Sequence, residues 1–442
     1  MKKFTKILIC LILCVFGVGL IGCGDKRSDK EKGFVYPDVK GEVTGNGGLA
    51  VQKGNHIYFV NGFQPYEDST RYAKQKHAGV MLAKLSDNGE LVVNDNGEIK
   101  DENLIHISNK LAGFEATDLA IFGNYLYFTS HNQQDDSSTE DWGKGWVDFN
   151  RIKLDKSSEV ETIYKSTQTV ENLKFKFYED NGSVTLLVFE TENNKLLKIN
   201  TSGDVKKTVK DVTDVYFADN YNEVFYVASK EDKDENKTYY NAYKLCSNDA
   251  EFKQFNTTSA TIKFVENGYV YFLEGSDLYR YDINNSNSRN LVLTGFSSYS
   301  AVKVIPNENV IVAVSKEGAG IIFEYYENAN LEPSANYVLD SKTATANIVG
   351  FSNGCIIYVD AENNVKSLSY ANRNNGAEVE TIATISDLNT TYFDVDGSFM
   401  YFYKTVGEKD YLHRLVIDNG ASVEEFVGVY LEADIPEVEE EK

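Results

Sequence analysis

The chain has 442 residues, with 67 acidic against 44 basic side chains and a formal charge of −23. A field this negative repels phosphate backbones and anionic headgroups, which excludes nucleic acid as a partner. Five cysteines in such a length exclude a small disulfide-stapled scaffold, and the chain is long enough to bury a large core unaided.

Residues 1–22 have the layout of a lipoprotein signal peptide. Lys2, Lys3 and Lys6 precede an apolar run from Ile7 to Ile21, which ends in Leu20-Ile21-Gly22-Cys23. The basic end stays cytoplasmic while the apolar stretch inserts, and the stretch is short for a membrane-spanning helix. This segment resembles the bacterial lipobox. The resemblance implies cleavage before Cys23, a diacylglyceryl group on its thiol, and a protein held by lipid on the outer, extracellular face of the cytoplasmic membrane. Each buried methylene contributes about 0.8 kcal/mol, so two acyl chains make a stable anchor. Of the other cysteines, Cys10 and Cys14 leave with the leader, and Cys246 and Cys355 lie in apolar, strand-like surroundings that suit buried free thiols.

Residues 23–46 form the lipidated cysteine and a flexible tether, rich in Lys, Asp, Glu and Gly. At the far end, residues 432–442 (EADIPEVEEEK) make an acidic tail without apolar period and are expected to be disordered.

Between these ends, residues 47–431 repeat one pattern. A strand rich in Tyr, Phe, Val and Ile recurs as Ile57-Tyr58-Phe59, Leu126-Tyr127-Phe128, Leu186-Leu187-Val188, Val224-Phe225-Tyr226, Val270-Tyr271-Phe272, Val310-Ile311-Val312, Ile356-Ile357-Tyr358 and Met400-Tyr401-Phe402. The last five intervals run from 38 to 46 residues, the length of a four-stranded propeller blade. Asn181-Gly182, Asn267-Gly268, Asn353-Gly354 and Asp396-Gly397 stand just ahead of such strands and suit the positive φ angles of two-residue hairpins. A third strand follows, as in Leu278 to Ile283, and a fourth, as in Val160 to Tyr164 and Val379 to Ala383. The fold expected is an all-β, eight-bladed β-propeller of four-stranded blades, with seven blades as the alternative. The ring closes on an outer strand taken either from Val423 to Tyr430 or from Phe34 to Val43. The run Asp277-Leu278-Tyr279-Arg280-Tyr281-Asp282 after Tyr271-Phe272 resembles blades of the YWTD-like and related bacterial lipoprotein propellers. That resemblance implies the fold alone, because the YWTD tetrapeptide itself is absent.

The motifs of common chemistries are missing: no Gly-rich phosphate loop, no HExxH, no CxxC and no GxSxG elbow. The five histidines lack metal-ligand spacing, so neither metal nor cofactor is expected. The first two intervals between repeats, 69 and 60 residues, exceed the rest. The excess falls between second and third strands, from Gly62 to Ala78 and from Ser130 to Gly145, and loops at that position emerge on one face of a propeller. They carry Phe63, Tyr66, Tyr72, His77, His131, Asp141, Trp142 and Trp146, aromatic and polar groups that suit protein hot spots or stacking on sugar rings. The function expected is a non-enzymatic binding or scaffold module for an envelope protein or wall glycan. The alternative is a glycan hydrolase or lyase using carboxylates such as Glu67, Asp135, Asp136 or Asp141.

Overall fold

A computed structural model describes residues 39–426, apart from 61, 64–76, 88, 94, 96–103, 114–118, 132–145, 156–157, 181, 218–222, 233–236, 247–250, 258–260, 284, 318–319, 340–345, 376–377, 407–408 and 418–423. Among the described residues the regular structure is strand, with two single-turn 3₁₀ segments at Val170–Asn172 and Phe296–Ser298. Cys23 and the leader lie outside the described residues, as does the acidic tail.

The strands form a series of antiparallel sheets in which chain neighbours pair in order. The third sheet is typical: Leu173–Asp180, Ser183–Glu190, Lys195–Asn200 and Val205–Val209. Each repeated apolar motif lies inside such a second strand, because Tyr, Phe, Val and Ile fit a pleated surface packed on both sides. The segment His56–Val60 is buried at every position, and Leu186 to Glu190 likewise. Strands buried on both faces read as continuous apolar runs rather than as alternation. Outer strands behave differently: Val379–Thr384 is half-buried or exposed along its whole length.

Among the described residues, six core clusters each join two consecutive sheets, and the largest spans the last, first and second. Ile357 and Val359 pack with Met400 and Phe402, Val312 and Phe323 with Tyr358, and Tyr127 and Phe149 with Phe177 and Val188. The first strands of neighbouring sheets also touch, as Val212–Phe217 does Thr261–Glu266 and Ala346–Ser352 does Leu388–Asp396, so they line the axis. The protein is therefore an all-β propeller with four-stranded blades.

The expectation of eight four-stranded blades, or seven, is corrected: among the described residues six sheets have four strands, and the first and last in the chain have five. In the first, Val43–Thr44 adds to the inner edge of Ala50–Lys53, inside the stretch read as tether. The reason is local. Gly41 lies against Gly54, where a Cβ on Gly41 would come within 2.6 Å of the Gly54 Cα, and the Gly54 N–H donates to the Glu42 carbonyl. In the last, Leu388–Asp396, Phe399–Val406, Lys409–Val416 and Glu424–Phe426 are joined by Gly62–Phe63, which pairs with Asp410 and Tyr411. Of the two closing strands expected, Glu424–Phe426 within Val423 to Tyr430 pairs with the last sheet, whereas Val43, the described end of Phe34 to Val43, pairs within the first. The last and first sheets also share a core: Tyr401, Tyr403 and Leu412 cluster with Ile57, Tyr58 and Phe59.

Register reveals a repeat within the repeat. Tyr127 faces Arg151, Tyr271 faces Arg280 and Tyr401 faces Arg414 across adjacent strands. Each guanidinium also stacks on the ring two residues before that tyrosine: Arg151 on Tyr125 at 4.6 Å, Arg280 on Tyr269 at 4.2 Å and Arg414 on Phe399 at 4.5 Å. The stacks fall in every third sheet. In the first sheet His56 occupies the ring position, two residues before Tyr58, and Leu82 stands in place of the arginine.

Candidate functional site

Because each sheet is an antiparallel meander, second strands end on the face where the chain passes to the next sheet. Both long insertions leave from that face, one after Val60 and one after His131. Their sheets are neighbours. The Asn46 amide donates to the Ile121 carbonyl at 3.3 Å while its carbonyl accepts from the Ile121 N–H at 2.8 Å, and the Gly47 N–H donates to Leu119. A single asparagine side chain thereby imitates a strand pairing between the first sheet and the second. The chain itself enters on the opposite face, where Gly41 and Glu42 meet the Gly54 turn.

The two insertions are rooted differently. Past Val60, Gly62–Phe63 leans to the last sheet, and the chain returns at His77, which pairs with Gly113. The second insertion stands on a regular hairpin end, where His131 pairs with Val147 and Ser130 with Asp148. Trp146 sits just beyond the last pair and is half-buried. His131 and Trp146 are therefore brought to one stem, while Phe63 is carried toward the opposite seam. Tyr66, Tyr72, Asp141 and Trp142 lie outside the described residues, as do Glu67, Asp135 and Asp136.

Beneath the second stem lies a concentration of buried polar groups that strand periodicity gave no reason to expect: Thr129, Ser130, Asp148, Asn150, Ser166 and Gln168. The Asn150 amide donates to Ser130 Oγ at 2.9 Å and to the Asp148 carbonyl at 3.2 Å, and its Oδ1 accepts from the Thr162 hydroxyl at 2.9 Å. Backbone bonds link Val147 with Ser166 and Gln168, and the Gln168 N–H also donates to Ser166 Oγ. Both polar atoms of the Asn150 amide are thereby satisfied, which favours one orientation of that side chain, whereas the buried Gln168 Oε1 has no hydrogen-bond partner. The Asn150 bonds tie the two strands of that stem to Thr162 on the next strand.

Carboxylates recur at the same level of other sheets. Glu190 accepts from the Tyr164 hydroxyl at 3.3 Å and from Asn193 at 3.0 Å. Burial, then the neighbouring Glu190, pushes the Tyr164 hydroxyl up to about 12. Asp214 accepts from Lys174 at 2.6 Å and from the N–H groups of Val215 and Ile262 at 2.9 and 2.8 Å. Glu274 takes Arg289 and the Tyr281 hydroxyl. Asp360 accepts from Lys366 at 2.6 Å, from the Asn364 amide, and from the N–H groups of Glu362 and Asn364. Burial alone would raise Asp360, but the bonds from Lys366, Asn364 and the backbone outweigh it and hold its carboxyl below the usual range. These four acids serve as acceptors that tie strand ends and neighbouring sheets together. Among the described residues, no three His, Cys, Asp or Glu side chains converge on a common metal position.

No family model matches the chain, and no curated protein matches it. Solved structures do resemble it, at low identity. A puromycin-hydrolyzing peptidase of Mycobacterium tuberculosis aligns at 9% identity and TM-score 0.43, over 72% of this chain and 55% of that one. An uncharacterized Listeria monocytogenes EGD-e protein aligns at 12% and 0.39, over 72% and 97%. The β-propeller domain of the Trilobed protease from Pyrococcus furiosus aligns at 11% and 0.39, over 88% and 96%. The chain thus spans about half the length of the peptidase it resembles.

Proposed function

We propose that this chain is a lipid-anchored binding module, held through Cys23 on the outer face of the cytoplasmic membrane, that engages an envelope protein or wall glycan with its insertion-bearing face. The observation that carries the reading is the pair of long insertions leaving adjacent sheets on one face, the second from a hairpin stem braced by the Asn150 network. A rigid scaffold holding variable loops is the usual arrangement of a recognition surface. Trp146 stands at that stem and Trp142 four residues before it, and aromatic side chains supply apolar area with few torsions to immobilise.

Four acids among the described residues serve as structural acceptors rather than as general acids, while Glu67, Asp135, Asp136 and Asp141 lie outside those residues. General-acid catalysis by a carboxyl calls for a raised pKa, whereas Asp360 is held down, and Glu190, Asp214 and Glu274 are engaged by protein donors. The test is capture by the full-length protein in detergent from envelope extract, run beside a glycan array. Trp142→Ala and Trp146→Ala should each weaken capture by about 2 kcal/mol or more, as central aromatic anchors do, with thermal stability nearly unchanged. Undiminished capture by both variants would move the site off this face.

A further inference from the structure

We propose that the ring has one built-in opening point, the seam between its last and first sheets, and that the root of the first insertion is the latch that holds it shut. The inference is independent of what the insertion-bearing face binds. Every other seam joins sheets consecutive in the chain, linked by a short connection such as Val209 to Val212 or Thr384 to Leu388. Those neighbours stay together even when their contacts loosen. The last and first sheets have no such link, so closing them must overcome the entropy of the largest loop in the molecule.

Beyond the core that Tyr401, Tyr403 and Leu412 share with Ile57, Tyr58 and Phe59, specific polar contacts hold this seam. The buried Tyr403 hydroxyl donates to the Val60 carbonyl at 3.0 Å, joining residues 343 apart in sequence. Two residues on, Gly62 and Phe63 pair with Tyr411 and Asp410 on the outer edge of Lys409–Val416. Further along that edge the described strand Glu424–Phe426 pairs with His413, Arg414 and Leu415. The outer strand of the last sheet is thus a composite, one part supplied by the C-terminal chain and one by the chain leaving the first sheet. Release of Gly62–Phe63 would uncover strand edge on the last sheet and free the Tyr403 contact together, so the two segments open as one unit.

Hydrogen exchange read by mass spectrometry on the intact chain tests this. Segments 56–63 and 409–416 should exchange together and about tenfold faster than the third-sheet strand Ser183–Glu190. Tyr403→Phe should speed both segments and leave Ser183–Glu190 unchanged. The pair Gly62→Cys with Tyr411→Cys places two thiols on facing strand positions, within the reach of a disulfide. Its oxidised form should slow both segments to the rate of the third sheet, with the reduced form of the same protein as control. Exchange at the seam no faster than in the third sheet, or an oxidised pair that protects only its own residues, would overturn the proposal.

Discussion

The Asp214 carboxylate accepts from the Ile262 N–H at 2.8 Å, so a side chain of the fourth sheet completes the backbone hydrogen bonding of the fifth. The same carboxylate accepts from Val215 and from Lys174 of the third sheet, which makes it the meeting point of three sheets. Asp214→Ala would orphan two buried donors at once. It should destabilise the protein by about 3 kcal/mol, and Asp214→Asn by less because one acceptor oxygen remains. Urea unfolding measures both; a loss under about 0.5 kcal/mol for the alanine would show that water replaces the carboxylate.

His56 gives the fold an acid-sensitive point. Both its nitrogens are buried without hydrogen-bond partners, and burial, then the positive charge of Lys84, pulls its pKa down to about 4. The folded state therefore binds this proton less readily than the unfolded chain, whose imidazole titrates near 6.5. The sign follows: the full contribution is present above about pH 6.5 and is lost progressively as pH falls toward about 4, amounting to roughly 3 kcal/mol. His56→Phe places there the kind of ring found at Tyr125, Tyr269 and Phe399. Its stability advantage over the parent should be larger at pH 4.5 than at pH 7.5, and an advantage independent of pH would refute the assignment.

Gly350 marks how closely the inner strands approach. A Cβ there would stand 2.8 Å from the Val395 Cβ on the neighbouring first strand, closer than real Cβ contacts come. Gly350→Ala should cost about 1–3 kcal/mol in thermal or urea unfolding, and pairing it with Val395→Ala should recover most of that loss. Additive losses in the double variant would mean that the crowding lies elsewhere.

The lipid anchor has its own test. Cys23→Ala should abolish labelling of the protein by a fatty-acid probe and leave it unprocessed or shed into the medium. Labelling equal to that of the parent would remove the anchor from the proposal.

Second strands were legible because burial on both faces demands unbroken runs such as Leu126-Tyr127-Phe128. Hairpin turns were legible because Asn267 and Gly268 both take positive φ, at 50° and 82°, which few other residue pairs tolerate. The pairing of Gly62–Phe63 with Asp410–Tyr411 left no local trace, since two residues bonded across the whole chain show neither period nor turn. Arginines inside strands were equally silent. Arg280 and Arg414 look like solvent-facing polar positions until register sets them against Tyr271 and Tyr401 and their rings. At the candidate site the sequence pointed to the two insertions, and the structure roots both on one face. It did not point to the buried network under the second, because Ser130, Asp148, Asn150, Ser166 and Gln168 come from separate strands and turns that only the fold assembles.

The point where the chain joins the disc has a consequence for how the molecule stands. Val39 to Glu42 approach beside the Gly54 turn, on the side away from both insertions. With lipid on Cys23, the sixteen residues to Val39 could hold the disc off the bilayer by about 50 Å at full stretch. The disc would then lie with its attachment side toward the lipid and its insertions directed outward, into the wall. Partners would be met from outside the cell, and a ligand embedded in the same membrane would find the plain side of the protein.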